Sequence, residues 1–153
     1  MSTLIGNLAN RCSHSGLIIY VQSAPVIWVS RKQKTVETST YGAELCASKM
    51  AVELIEGLRY KLRMFGVEIK GPTLMFCDNE SVVHNLTKPE STLKKKHNSI
   101  AYHKTRESVA SGTTEVHKIA SSDNPADLLT KVLSGVQTDY HSSNILLCNA
   151  SNI

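Results

Sequence analysis

The chain has 153 residues, 41% of them hydrophobic and 20% charged, and carries a formal net charge of +4. This length suits one domain with a single ordinary core, and no apolar stretch approaches the length that a bilayer-crossing helix needs. We therefore expect no membrane-spanning helix in this sequence. The modest positive charge permits a polyanionic partner without requiring one.

The four cysteines are Cys12, Cys46, Cys77 and Cys148, and none forms a CxxC or Cys/His pair. This scatter argues against structural zinc and against a disulfide scaffold, and it suits a reducing compartment. The early apolar run at 16–21 is too short and wrongly flanked for a signal peptide. We therefore expect an intracellular protein, in the cytoplasm or nucleus, that is not secreted.

The first half of the chain predicts a hairpin followed by a long helix. Strands are predicted at 16–22 and 26–30, around a turn containing Pro25. From about Tyr41 to Met64, apolar residues recur at the three-and-four spacing of one helix face.

The second half alternates strands and helices. We predict a strand at 73–77, helices at 81–86 and 100–111, a strand at 114–119, and a helix from Pro125 to about Leu133. From Ser134 onward the periodicity is lost, so the tail at 134–153 is expected to be loosely ordered. This alternation predicts the α/β class.

Asp78 follows the apolar strand at 73–77 directly. Ligands of open α/β sheets bind beyond the carboxyl ends of strands, so this is a typical position for a catalytic carboxylate. The alternative is that Asp78 only helps to cap the next helix, together with Asn79 or Ser81. Asp78 alone does not decide between the two.

Glu44 and Asp127 are the other two candidate carboxylates. Glu44 shares the buried stripe of its helix with Ala47 and Ala51, and Asp127 lies in the first turn after Pro125. Each could simply complement a helix dipole. If the three carboxylates converge, their hard oxygen atoms suit Mg²⁺, with Mn²⁺ as a substitute. Two such cations can activate a water and stabilise the leaving oxygen of a phosphodiester.

Four segments carry a family resemblance: SRKQKTVETSTYGAEL at 30–45, FCDN at 76–79, KKHNSIAYHKTRE at 95–107 and ADLLTK at 126–131. In order and spacing they resemble the RNase H domain of copia-type retrotransposon polyproteins, over residues 11–133. The resemblance implies an RNase H-like mixed sheet flanked by helices. It also implies metal-dependent cutting of the RNA strand in RNA–DNA hybrids, within a larger reverse-transcriptase polyprotein.

The family holds its metal ions with four carboxylates, and Glu44, Asp78 and Asp127 match the second, third and fourth. The first belongs to a strand expected at or before Met1, and the divergent segment at 1–10 contains no acidic residue. We therefore expect the sheet to lack its central first strand. We also expect weak metal binding and an isolated chain that is inactive or weakly active.

Basic residues could contact nucleic-acid phosphates without sequence specificity. The candidates are Arg31, Lys32, Lys34, Lys94, Lys95 and Lys96. The alternative is a solvated charge run in a loop. Arg106 matches the family pattern, but the sequence assigns it no chemical role beyond a helix surface.

Two further hypotheses stay open. The chain could be a non-catalytic module that binds nucleic acid or another partner and retains the carboxylates without using them. It could also be a competent nuclease whose missing strand comes from an upstream segment of the polyprotein or from another chain.

Overall fold

The structure is a computed structural model of the chain. It describes residues 2–3, 14–33, 40–93 and 96–146. The chain divides into two compact units, unit 1 with residues 1–43 and 120–153 and unit 2 with residues 44–119. Most of the divergent segment at 1–10 and the tail beyond 146 lie outside the described residues.

The described residues contain five strands and four α-helices. In chain order these are β1 (Ser2–Thr3), β2 (His14–Val21), β3 (Ala24–Lys32), α1 (Thr40–Met64), β4 (Thr73–Cys77), α2 (Glu80–Thr87), α3 (Ser99–Ala110), β5 (Thr114–Lys118) and α4 (Gly135–Leu146). Short 3₁₀ helices lie at Lys96–Asn98, Ser121–Asp123 and Pro125–Leu129. The predicted α/β class is confirmed, and the element order is compatible with an RNase H-like fold. None of the helices in the described part of the chain has the length and apolarity to cross a membrane.

Unit 1 contains an antiparallel sheet in the order β1-β2-β3. The predicted hairpin is confirmed, since β2 and β3 pair from His14 opposite Lys32 to Val21 opposite Ala24. Its tight turn places Gln22 at a φ of 56°, a left-handed conformation that non-glycine residues adopt mainly in turns.

Gly16 lets β2 approach the 3₁₀ helix at Pro125–Leu129 closely. A Cβ atom added to Gly16 would lie 2.6 Å from Thr130 Cγ2 and 2.7 Å from the Ala126 main-chain oxygen. These separations are below van der Waals contact, so the packing of unit 1 requires a residue without a side chain at this position.

Gly16→Ala is therefore expected to destabilise the protein by about 2–3 kcal/mol, because the added methyl group overpacks a contact that includes rigid backbone. Gly57→Ala is the matched control, since Gly57 lies within α1 with no atom within 4 Å of the added Cβ. That change should stabilise by about 0.5–1 kcal/mol through helix propensity. Urea unfolding measures both, and equal effects of the two substitutions would contradict the close approach.

Two predictions for the end of unit 1 are wrong. Residues Pro125–Leu129 form a 3₁₀ helix instead of an α-helix to Leu133, since Thr130 leaves helical geometry at a φ of −128°. The tail expected to be loosely ordered from Ser134 instead forms α4 over Gly135–Leu146. The Thr138 amide of α4 donates a hydrogen bond to the Ser134 carbonyl. His141 is only 3% exposed, so a buried polar residue anchors this helix, whose sequence shows no apolar stripe.

Unit 2 contains the parallel pair β4-β5, in register from Thr73 opposite Thr114 to Cys77 opposite Lys118. Parallel neighbours need a long crossover, which α2 and α3 supply. The predicted strand at 73–77 is confirmed at both ends.

Helix α1 supplies much of the buried apolar surface. Its fully or nearly fully buried residues are Ala43, Leu45, Ala47, Ala51, Val52 and Ile55. The stripe does not extend past the helix, because Phe65, directly after Met64, is 82% exposed. Instead Arg59 is buried and donates to the Gly71 carbonyl at 3.1 Å and to Thr73 Oγ1 at 3.0 Å, which ties α1 to the start of β4 within unit 2.

Candidate metal centre

The end of β4 carries Cys77, and Asp78 follows it directly. The next residue, Asn79, is the N-cap of α2, and its side chain accepts a hydrogen bond from the Val82 amide at 3.3 Å. The capping role that the sequence left open for Asp78 is thus performed by Asn79. The Asp78 main-chain carbonyl accepts a hydrogen bond from the Lys118 ammonium at the end of β5.

Glu44 lies inside α1, where it is only 4% exposed. The first turn of α1 contains no acidic residue, so Glu44 is not placed to complement the helix dipole there. The prediction that Glu44 falls on the buried stripe is confirmed. A buried carboxylate is costly unless other groups compensate its charge.

The structure brings Glu44, Cys77 and Asp78 together in unit 2. One ligand atom from each side chain, a carboxylate oxygen or the sulfur, lies within 4.8 Å of the others. Glu44 and Cys77 are buried, and Asp78 is half-buried. Two carboxylates and a thiol from distant parts of the chain thus form a cluster that can bind a divalent cation.

The Cys77 thiol stays protonated near neutral pH. Its pKa is raised to about 11, chiefly by burial; the hydrogen bond to the Asn79 carbonyl opposes this rise, and the neighbouring charges of Glu44 and Asp78 add to it. A neutral thiol is a poor ligand for Mg²⁺, which prefers oxygen. The two carboxylates are therefore the residues of this cluster that fit a magnesium ion.

Asp127, the third predicted ligand, lies in unit 1 within the 3₁₀ helix Pro125–Leu129, and it is 6% exposed. Its Oδ2 atom accepts a hydrogen bond from Lys131 Nζ at 2.7 Å, and its Oδ1 atom lies 3.4 Å from Asn124 Nδ2. The charge of this buried carboxylate is thus balanced locally by a lysine. Its assignment as a metal ligand stays a prediction.

The predicted phosphate-binding residues are described only in part. Arg31 and Lys32 are exposed at the end of β3 in unit 1, and Lys96 is exposed in the 3₁₀ helix of unit 2. Lys34, Lys94 and Lys95 lie outside the described residues. The exposed positions suit phosphate contact, and the role itself stays a prediction.

Arg106 has a role that sequence analysis did not find. Its guanidinium group lies 3.1–3.3 Å from the main-chain oxygens of Asn85, Lys88, Pro89 and Ser91. It also lies 2.7 Å from Ser91 Oγ and 2.6 Å from the Tyr102 hydroxyl. Arg106 therefore ties α3 to residues 85–91, which lead from the end of α2 toward the basic segment, Lys94, Lys95 and Lys96.

Cys77 was also missed as a member of the cluster. Metal-binding cysteines are usually recognised in a sequence by a paired cysteine or histidine, and Cys77 has no such neighbour. The available signal was its position beside Asp78 at the end of an apolar strand, where a side chain can face the same edge as a ligand.

No family model matches the chain, and no solved structure matches it. The chain is 30% identical over 140 residues to the retrovirus-related Pol polyproteins from transposons RE2 and RE1 of Arabidopsis thaliana, covering 92% of this chain and 10% of each polyprotein. It is 31% identical over 130 residues to the retrovirus-related Pol polyprotein from transposon TNT 1-94 of Nicotiana tabacum, covering 85% of this chain.

The chain thus spans about 10% of the length of the curated relatives it matches. The matched region includes most of both units. Over most of its length, the chain is homologous to a segment of the retrovirus-related Pol polyproteins of plant transposons.

Proposed function

We propose that the chain is a retroelement-derived RNase H-type domain that binds RNA–DNA hybrids and is inactive or only weakly active in cutting their RNA strand as an isolated chain. The observation that carries this proposal is the meeting of the Glu44 and Asp78 carboxylates at the end of β4, within 4.8 Å. The homology to Pol polyproteins of plant transposons supports the retroelement origin in this proposal.

Mg²⁺ or Mn²⁺ fits the donor set of the centre. Glu44 and Asp78 offer the hard oxygen ligands that these cations prefer. A dication between the two carboxylates would also offset their mutual repulsion at a site where Glu44 is buried. Asp127 matches the remaining carboxylate of the family pattern, and its part in metal binding stays a prediction.

When bound, such cations supply an activated water and stabilise the leaving oxygen of the phosphodiester. Residues of this chain would position Asp78 and bind the hybrid. Asn79 caps α2, Lys118 donates to the Asp78 carbonyl, and the Ile119 amide donates to the Cys77 carbonyl, so the backbone on both sides of Asp78 is held. Exposed basic residues, including Lys96, would hold phosphates of the hybrid.

Weak activity follows from the charge of the proposed site. Three carboxylates carry too little negative charge to balance two divalent cations. The sequence contains no acidic residue before Glu37 that could act as a further ligand. We therefore expect metal occupancy only at high cation concentration, with Mn²⁺ more effective than Mg²⁺ because Mn²⁺ generally binds such sites more tightly.

The test uses a labelled RNA–DNA hybrid with the full chain, in Mn²⁺ and in metal-free buffer. Slow Mn²⁺-dependent cutting of the RNA strand would support the nuclease assignment. Hybrid retention without cutting would support a binding-only module. Absence of both retention and cutting at low salt would contradict the proposed function.

Hybrid binding should weaken steeply with salt, since phosphate contacts release counterions. Replacing Lys94, Lys95 and Lys96 together with glutamine should reduce the slope of log affinity against log salt by about 2–3, one unit or slightly less for each lost contact. The matched control replaces Lys61, Arg63 and Lys70 with glutamine, which removes the same charge from another part of unit 2. Equal losses in both triple variants would show that net charge, not the basic segment, governs binding.

A further inference from the structure

The sulfur atom of Cys77 lies next to the carboxylates of Glu44 and Asp78. The Cys77 Sγ atom lies within 4.8 Å of the nearest carboxylate oxygens of Glu44 and Asp78. Glu44 is 4% exposed and Cys77 is 1% exposed, so two of the three donors are already shielded from bulk water. The third, Asp78, is half-buried and leaves the cluster open to ions from solvent.

The spacing of these donors suits one ion. Zinc bonds to thiolate sulfur and carboxylate oxygen are about 2.0–2.3 Å long, so ligand atoms on one tetrahedral ion lie roughly 3.5–4 Å apart. Side-chain shifts of less than about 1 Å would bring the present cluster to that geometry. Three protein ligands with an open fourth position form a common arrangement for accessible zinc.

The donor types favour a soft cation. Thiolate sulfur selects Zn²⁺ and similar thiophilic ions, whereas Mg²⁺ requires near-octahedral oxygen coordination. A site with carboxylates alone would show a weaker preference of this kind. Cys77 therefore increases the preference of the centre for Zn²⁺ and similar ions over Mg²⁺.

We propose that Glu44, Cys77 and Asp78 form a binding site for thiophilic divalent cations of the Zn²⁺ and Cd²⁺ class, and that such a cation inhibits the domain by occupying the carboxylates that Mg²⁺ would use. Binding releases the thiol proton to solvent and leaves a metal thiolate. The inhibition rests on the proposed function, and the binding does not.

Co²⁺ is a suitable probe, because a thiolate–Co²⁺ bond gives a near-ultraviolet charge-transfer band that oxygen ligands do not give. The metal-free full chain, kept reduced, is titrated with Co²⁺ and then with Cd²⁺ as a competitor. We expect a band that saturates at one ion per chain and disappears as Cd²⁺ displaces Co²⁺. A chain that binds Mn²⁺ but develops no thiolate band would overturn the inference.

Cys77→Ser should remove the band. It should also lower the preference for Cd²⁺ over Mn²⁺ by more than about tenfold, because loss of even an outer-shell partner lowers metal affinity by about that factor. Cys46→Ser is the matched control, since the half-buried Cys46 of α1 is not part of the cluster. The control should keep the band. A band that persists in Cys77→Ser, or that is lost only in Cys46→Ser, would overturn the site.

A second variant covers the case in which Cys77→Ser does not fold, which circular dichroism would show. Asp78→Asn keeps the thiol but removes one charged ligand, so the Co²⁺ band should require more than about tenfold higher metal concentration. Wild-type affinity in this variant would overturn the proposal. A band that depends on Cys77 in a chain that binds no Mn²⁺ would support this site while contradicting the proposed magnesium function.

Discussion

Replacing Asp78 with asparagine is expected to lower the affinity for Mn²⁺ by more than about a hundredfold. Asp78 is proposed to bind the ion directly, so its loss should exceed the effect of an outer-shell substitution on affinity. Asparagine keeps the shape of the side chain but removes the charge that attracts the cation. Since Asn79 caps α2 and the Asp78 backbone is held through its carbonyl, the substitution should leave the fold intact. Mn²⁺ binding is measured by electron paramagnetic resonance of the free ion.

Asp139→Asn is the control for the loss of one negative charge, because Asp139 is exposed on α4. It should leave Mn²⁺ affinity within about twofold, because it removes an exposed, screened charge that is not part of the cluster. Glu44→Gln should resemble Asp78→Asn. If Asp78→Asn and Asp139→Asn bind Mn²⁺ equally well, the cluster at the end of β4 is not the cation site.

Removing the guanidinium group of Arg106 should be the largest stability effect among the exposed or half-buried polar residues of unit 2. Arg106→Met keeps the aliphatic stem but loses every bond to the chain between Asn85 and Ser91. Hydrogen bonds from a charged donor contribute about 1.5–3 kcal/mol each when buried, and partial exposure reduces this, so we expect a total loss of about 2–4 kcal/mol. Urea unfolding followed by circular dichroism measures it.

Arg106→Lys should recover only part of the loss, since one ammonium group cannot reproduce the planar fork that reaches several carbonyls. Arg63→Met is the control for removing an exposed arginine and should change the free energy of unfolding by less than about 0.5 kcal/mol. If Arg106→Met is as stable as Arg63→Met, the contacts of Arg106 contribute nothing to the fold.

Periodicity explains what the sequence could predict. The three-and-four spacing in α1 placed Glu44 on a buried face, and the short apolar run before Asp78 set the limits of β4. Both carboxylates could therefore be assigned to the correct elements. Their approach to each other is a tertiary contact, and only the family resemblance indicated it.

Other features left no periodic signal. Helix α4 has a weak apolar pattern and buries His141, so its sequence does not differ from that of a polar tail. The sequence could assign Gly16 only to a strand. The requirement for glycine there comes from the close approach of the 3₁₀ helix at Pro125–Leu129, which the sequence does not show. Arg106 binds carbonyls of a turn, and the sequence does not show which carbonyls a turn will present.

A crystal structure of the full chain with Mn²⁺ would show whether Glu44 and Asp78 share a cation, because anomalous scattering locates the ion without assumptions about its ligands. We expect an anomalous peak between the carboxylates of Glu44 and Asp78. A peak at another place, or carboxylate oxygens of these two residues too far apart to share an ion, would contradict it.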